Sequence, residues 1–301
     1  MIERITRQAV QMPVSYKHNT GSVPIDYYLS EVKGSDKKPL LVLPGMGEDH
    51  YVSRKLAYNL KVLGIPALIA VLKFPDIGSM DVVCKKAPGF MAALLNKTYG
   101  DNPQAAVSTL SHSQSGGAVL VAGNNTEQFA GAKHAVVSPV GVNTLAMGQD
   151  MSARKKEFWK RLLWKNNLQP GQFVPANWRA GLDLSLRLVG DTVGSWAAND
   201  YSLLGHKVEY ALSDQMHDLA MRGLARLQEN SSVIMYTGKD DPLFPWGELR
   251  MATHNYEPTR AVSVLIESGA HESMVNSNGK HQLQNPIRFL TGVDTSVSQL
   301  S

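Results

Sequence analysis

The sequence predicts an α/β protein, with a mostly parallel central sheet, helices on both faces and one helical insertion. Three observations predict it. Short runs at 40–43 (LLVL), 65–71 (IPALIAV), 105–110 (AAVSTL), 135–139 (AVVSP), 232–238 (SVIMYTG) and 262–269 (VSVLIESG) are apolar nearly throughout rather than alternating. Strands buried on both faces of a parallel sheet read this way. Helical spacing separates the runs, and strictly alternating strand and helix gives a parallel sheet. The alternation stops after Pro139 and resumes at Ser232, which places an insertion between two strands of one continuing sheet.

Taken in order, residues 10–33 contain two extended runs around HNTGS (18–22), predicting an antiparallel hairpin. LLVL ends at Pro44, Gly45 and Gly47. Leu56, Leu60 and Leu63 have helical spacing, and Gly64 closes that helix. Residues 81–97 read as a helix bent near Pro88-Gly89. AAVSTL is a strand, and GGAVLVAG (116–123) lies in the helix after it. Residues 140–230 are expected to form a mainly helical cap over the strand ends, with Trp159, Trp164, Trp178 and Trp196 within it. Residues 1–139 and 231–301 then form the core domain. Inside the interval, Ser213 caps a helix whose Met216, Ala220, Gly223, Leu224 and Leu227 share one face, which predicts a core helix.

Composition narrows the functional classes. The 301 residues are 43% hydrophobic and 19% charged, with a formal net charge of +4 and a pI near 9.0. That is the balance of an ordinary globular protein. No dense basic run marks a nucleic-acid site. Cys84 is the only cysteine, so an intramolecular disulfide and a thiolate metal cluster are excluded. Its apolar setting, MDVVCKK, predicts a buried, inert thiol. The N-terminal stretch has charges but no long apolar run, and no segment approaches the ~20 apolar residues of a membrane span. A soluble, cytoplasmic protein is the expectation. Neither G-x-G-x-x-G nor G-x-x-x-x-G-K-[ST] occurs, and no metal-ligand grouping stands out, so no cofactor and no metal are expected. Nothing in the sequence sets an oligomeric state.

In open parallel sheets the ligand site lies outside the carboxyl ends of the strands. After AAVSTL comes SHSQSGG, residues 111–117. A serine on a sharp strand-to-helix turn needs small residues two positions before and after it. Ser113 has Ser111 and Ser115 there; Ser115, with Ser113 and Gly117, meets the same condition. Ser113 is favoured because it follows the apolar strand closely, whereas Ser111 falls within the strand end. Asp241 stands third after Gly238, with Asp240 as its alternative. His271 follows VSVLIESG. A serine, an aspartate and a histidine thus follow three separate buried strands, in that order. Such a set lets the histidine take the serine proton while the aspartate holds its tautomer. Asp191, Asp200 and Asp218 read as surface or capping residues. His18, His206, His254 and His281 sit in polar or turn-like settings. His50 and His217 are candidates to touch a substrate.

On these residues the chain resembles the α/β-hydrolase superfamily over nearly its whole length. LLVLPGMGE resembles the superfamily's strand and H-G-x-G turn, with Pro44 where histidine is common. FPDIGSMD (74–81) is similar to a shortened D-x-x-G-x-G-x-S loop. TGKDDPLFP (237–245) resembles the G-x-x-D-x-x-x-P acid loop, and SGAHES (268–273) the G-x-H loop. The resemblance implies Ser113 as nucleophile, Asp241 as acid and His271 as base. It implies the backbone N–H groups of Met46 and Gln114 as the oxyanion hole.

A serine nucleophile without metal or nucleotide loop leaves covalent acyl transfer on a small-molecule acyl substrate. Carboxylic ester hydrolysis is the first expectation; thioester, lactone or carbon–carbon hydrolysis and acyl transfer could use the same groups. From another class, this fold can hold a small ligand with slow turnover or none.

The stretch 152–167 (SARKKEFWKRLLWKNN) pairs Phe158 with Leu162 and Trp159 with Leu163 at i, i+4, among six basic residues. Such a helix either covers a pocket, with Phe158 and Trp159 against the substrate, or lies on an anionic membrane or partner. The first is the expectation.

Overall fold

The computed structural model describes residues 6–16, 19–45, 50–72, 77–100, 106–142, 150–161, 202–238, 241–255, 264–267 and 279–292. The strands are β1 (Thr6–Tyr16), β2 (Asn19–Ser30), β3 (Leu40–Leu43), β4 (Ala67–Leu72), β5 (Thr109–His112), β6 (Lys133–Val137), β7 (Ser232–Gly238) and β8 (Val264–Glu267). They form one sheet in the order β1-β2-β4-β3-β5-β6-β7-β8. β2 pairs antiparallel with both β1 and β4, and every other neighbouring pair is parallel. The mostly parallel sheet expected from the sequence is present.

The helices are α1 (His50–Val62), α2 (Ile77–Tyr99), α3 (Ser113–Ala122), α4 (Met151–Lys160), α5 (Ser202–Ala211), α6 (Asp214–Asn230), α7 (Trp246–Asn255) and α8 (Gly279–Thr291). Successive side chains of a strand point to opposite faces, and here both faces are covered. Leu41 and Leu43 of β3, with Leu68 and Ala70 of β4, share a core with Val83 and Met91 of α2, Val119 and Leu120 of α3 and Leu224 of α6. Leu40, Val42 and Ile69 share the opposite core with Leu56 and Leu60 of α1 and Ile287 and Leu290 of α8. Apolar residues at every strand position are what this two-faced burial demands.

Local signals act as read, with three shifts. Gly64 has φ 63°; its N–H bonds the Lys61 carbonyl and the Ile65 N–H bonds that of Leu60, both at 2.9 Å. That is the paired bond pattern of a glycine-ended helix. The first shift is in the hairpin: pairing runs to Tyr16 opposite Asn19, so Asn19–Ser22 lie in β2 rather than in the turn. Polar turn formers were overridden by cross-strand pairing. The second is α2, which starts at Ile77, so the last part of FPDIGSMD is helix and not loop. Third, the strand read as AAVSTL is realised as Thr109–His112. Cys84 is 1% exposed, and burial pushes its thiol up to about 12. It is buried, as expected.

α6 is built into the layer over the sheet. Ser213 Oγ accepts the Met216 N–H at 3.1 Å, and Met216, Ala220, Gly223, Leu224 and Leu227 are all buried. α6 crosses α3 with backbone against backbone: a Cβ on Gly223 would lie 1.7 Å from the Leu120 carbonyl oxygen. Only glycine fits there. The same tightness recurs at Gly117, whose Cβ would meet the Val140 oxygen at 2.5 Å.

α4 is fastened by its basic residues. Arg154, 6% exposed, donates to the Leu212 carbonyl at 3.0 Å and to Asp214 at 2.6 Å. Lys155 pairs with Glu209. Arg161 pairs with Glu157 and reaches Glu248 of α7 at 2.9 Å. Phe158 and Trp159 meet edge to face, with centroids 5.6 Å apart, and pack with Val208 and Leu212. Leu162 and Leu163, the other half of the predicted stripe, lie outside the described residues. Among those described, no helix is long and apolar enough to cross a membrane.

At the opposite end of the sheet from the serine elbow, His134 of β6 is fully buried. Its Nε2 bonds the Phe129 carbonyl at 3.0 Å and its Nδ1 lies 2.8 Å from Thr109 Oγ1. A carbonyl only accepts, so Nε2 carries the proton and Nδ1 accepts from the threonine. Burial holds this imidazole down at about 4. A histidine protonated in the unfolded chain but not in the native one costs stability as pH falls through the unfolded value. Its contribution is therefore intact above about pH 6.5 and lost progressively toward pH 4. By linkage about 2 kcal/mol should vanish between pH 7.5 and pH 5. Urea unfolding at the two pH values should show this drop, and His134→Gln should flatten it.

Candidate active site

The site is built where β5 becomes α3. His112 is extended (φ −128°, ψ 142°), Ser113 turns to φ 52°, and the helix begins at once. A left-handed serine costs roughly 1–3 kcal/mol and persists only where the surroundings impose it. Among the described residues, Ser113 and Ser138 are the two non-glycine residues with positive φ. Every residue from Thr109 to Ala122 is buried except Ser113. The turn leaves one residue of an otherwise buried segment partly exposed.

Ser113 heads α3, where the first N–H groups have no partner within the helix and the helix dipole is positive. Gln114 is the next residue. Its side chain is buried, with Nε2 3.0 Å from Met80 Sδ. Gly117 lets the start of α3 lie against Val140, and the Val140 N–H bonds the Ser113 carbonyl at 3.0 Å.

The two serines that spacing left as rivals differ in their settings. Ser115 is 1% exposed, and its hydroxyl donates to the Pro44 carbonyl at 2.5 Å. That bond ties α3 to the loop after β3. Ser111 is buried inside β5 with no hydrogen-bond partner for Oγ. Replacing Ser115 by alanine should strand the Pro44 oxygen and cost about 1 kcal/mol. Covalent labelling of Ser113 should survive, more slowly. A melting curve and a labelling time course check both, and complete loss of label would reassign the nucleophile to Ser115.

Asp241 follows β7 and is 3% exposed. Its Oδ1 accepts the N–H groups of Leu243 and Phe244, both at 2.9 Å. Its Oδ2 accepts the Ser138 hydroxyl at 2.7 Å. Three donors on one carboxyl group offset the cost of removing an ionised carboxylate from water. The sheet brings these residues level. His112 pairs with Val137, and Val137 with Tyr236, so Ser113, Ser138 and Thr237 each follow directly at adjacent strand ends. Neighbouring strands are about 5 Å apart.

Of the other residues singled out in the sequence, Met46, Asp240 and His271 lie outside the described residues, as does the side chain of His50, which heads α1. Phe158 and Trp159 are partly buried on α4. His217 is occupied structurally, with Nδ1 donating to the Gly141 carbonyl at 2.7 Å. Asp218 pairs with Arg222 on the surface. Ser138 was missed by sequence reasoning. Its only signal is a small polar residue closing an apolar strand ahead of Pro139. Among the described residues no cluster of histidine, cysteine and carboxylate could hold a metal ion.

No family model and no curated protein matches the sequence. Solved structures do match. The peroxisomal α/β-hydrolase Lpx1 of Saccharomyces cerevisiae superposes with a TM-score of 0.60 at 11% identity, covering 98% of this chain and 92% of that one. MGS-M2, an α/β-hydrolase enzyme from a Medee basin deep-sea metagenome library, gives 0.54 at 12% identity, covering 95% and 100%. The acylaminoacyl peptidase of Pyrococcus horikoshii gives 0.50 at 9% identity; 99% of this chain covers 44% of that one. This chain has the α/β-hydrolase fold.

Proposed function

We propose that this chain is a serine hydrolase that cleaves a carboxylic ester through an acyl-enzyme on Ser113. The observation that carries the reading is the elbow. One left-handed, incompletely buried serine stands at a helix N-terminus in a segment otherwise sealed. A buried carboxylate lies two strands away with three donors on it. The hydrolytic structural neighbours support the same reaction class.

In this mechanism Ser113 Oγ attacks the ester carbonyl carbon and His271 takes its proton. The tetrahedral oxyanion is held by the N–H groups of Gln114 and Met46. Removing one such donor typically costs ~10²–10³ in rate. Collapse breaks the carbon–oxygen bond, His271 protonates the departing alcohol, and the acyl group stays on Ser113. Water, deprotonated by His271, then releases the acid. Asp241 holds the imidazole with its other nitrogen toward Ser113 and stabilises the imidazolium.

A fluorophosphonate, which phosphonylates activated serines without needing a substrate guess, tests the reading. Peptide mass spectrometry should find the label on Ser113, and His271→Ala should abolish it. An unlabelled, folded wild-type protein would refute the hydrolase and turn attention to ligand binding without turnover.

A further inference from the structure

We infer that Ser138 is a positioning residue for Asp241, holding its Oδ2 from the strand beside the nucleophile strand; this rests on the hydrolase reading above. Ser138 stands between the two reacting elements. Its strand, β6, separates the nucleophile strand from the acid strand. Its backbone is left-handed, φ 44°, in a residue type that gains nothing from that conformation. Such strain persists when something local imposes it. Here the Ser138 N–H is bonded to the Tyr236 carbonyl at 2.8 Å, and two residues on, the Val140 N–H holds the Ser113 carbonyl. The left-handed turn aims Oγ across the sheet end at Asp241 Oδ2, 2.7 Å away.

The direction of the bonds is settled by donor counting. Thr237 Oγ1 also lies near, at 3.4 Å from Ser138 Oγ, but it donates its own proton to the Phe244 carbonyl at 2.9 Å. A hydroxyl has one proton to give, and the ionised oxygen at 2.7 Å is the stronger acceptor. Ser138 is 1% exposed, so water does not compete for the bond.

The consequence follows from the carboxylate's shape. The two N–H groups at Oδ1 restrain the carboxyl group through one of its oxygens, from its own loop. The Ser138 hydroxyl on Oδ2 adds a restraint on the other oxygen, from the neighbouring strand. A carboxylate oxygen has two lone-pair sites, so Oδ2 can take the imidazole N–H beside Ser138. The Asp241 carboxylate is thereby referenced to the strand next to the nucleophile strand, and on the hydrolase reading any imidazole it holds is referenced with it.

Three variants separate positioning from plain structural support. Ser138→Gly loses the hydroxyl and relaxes the left-handed backbone. Ser138→Ala loses the hydroxyl and keeps the strain. Ser138→Thr keeps a hydroxyl but adds a β-branch at positive φ, and should melt lowest. Turnover of p-nitrophenyl butyrate, per folded site, should fall about tenfold to a hundredfold in kcat for Gly and Ala alike, with KM unchanged. The rate of fluorophosphonate labelling should fall in parallel. The Thr variant, where folded, should recover most of kcat despite its lower Tm. Activity then follows the hydroxyl while stability follows the backbone. Losses that track Tm, a change in KM alone, or Gly and Ala variants at the wild-type rate would each overturn the assignment. If wild type labels on Ser113 and the variants label equally fast, this inference falls alone. If wild type does not label, the hydrolase reading falls and takes this one with it.

Discussion

Ser113→Ala should fold as the parent does and turn over p-nitrophenyl esters more slowly by a factor on the order of 10⁶. On the proposed mechanism the loss is this large because Oγ is the atom that becomes bonded to the acyl group, and no described neighbouring serine is placed to replace it. Ser115 is closest in sequence, but it is buried and its hydroxyl is held by the Pro44 carbonyl. Ser138 is committed to Asp241. What remains is the oxyanion site and binding alone, roughly 10³–10⁴ over the uncatalysed rate. Stability should hardly move, since alanine at φ 52° bears the same backbone cost as serine. Steady-state kinetics beside a melting curve decide it. A loss of less than a hundredfold in a folded variant would mean that another group is the nucleophile.

Asp241→Asn should cost about 10⁴ in kcat/KM. The amide is isosteric, yet its two ends differ. Leu243 and Phe244 both present N–H groups to the Oδ1 position, so the amide oxygen must stay there and the NH₂ is forced to the Oδ2 side. The Ser138 hydroxyl can rotate to accept from that NH₂, but an imidazole N–H cannot. The histidine would then adopt the tautomer that shows a proton, not a lone pair, to Ser113. Crystallographic or spectroscopic preservation of the loop, together with a loss below tenfold, would remove Asp241 from the acid's role.

The parts of this molecule that were legible in the sequence are those governed by local burial. LLVL of β3 and ALIAVL of β4 are hydrophobic at every position because both faces of the sheet are covered. Ser213 and Gly64 were legible because cap chemistry is local. The hairpin turn was misplaced because Asn19, Thr20 and Gly21 carry turn chemistry but pair with Tyr16, Ser15 and Val14 at the end of the β1–β2 ladder, a tertiary gain that single residues do not announce. The choice between Ser113 and Ser115 is one of backbone dihedral and hydroxyl direction, which spacing cannot encode. Ser138 was illegible for a related reason. Its role depends on a carboxylate 103 positions away, and on a strand order in which β6 lies between β5 and β7.

The long separation between β6 and β7 also governs how the chain reaches this state. β6 pairs with β5 across a short connection, but Lys133 must wait for Ser232 to find its other neighbour. During synthesis the ribosome delivers β1 through β6, with the serine elbow among them, while β7 is still to be made. A domain generally folds as a unit, so β6 cannot complete its pairing until β7 has emerged. For that interval β6 is an apolar edge strand with unpaired backbone groups, the kind of surface on which chains aggregate. Closing a loop on the order of a hundred residues adds only a few kcal/mol of entropy, but it delays pairing. Yield in a cell should therefore depend on chaperones that shield β6 until translation has passed Gly238.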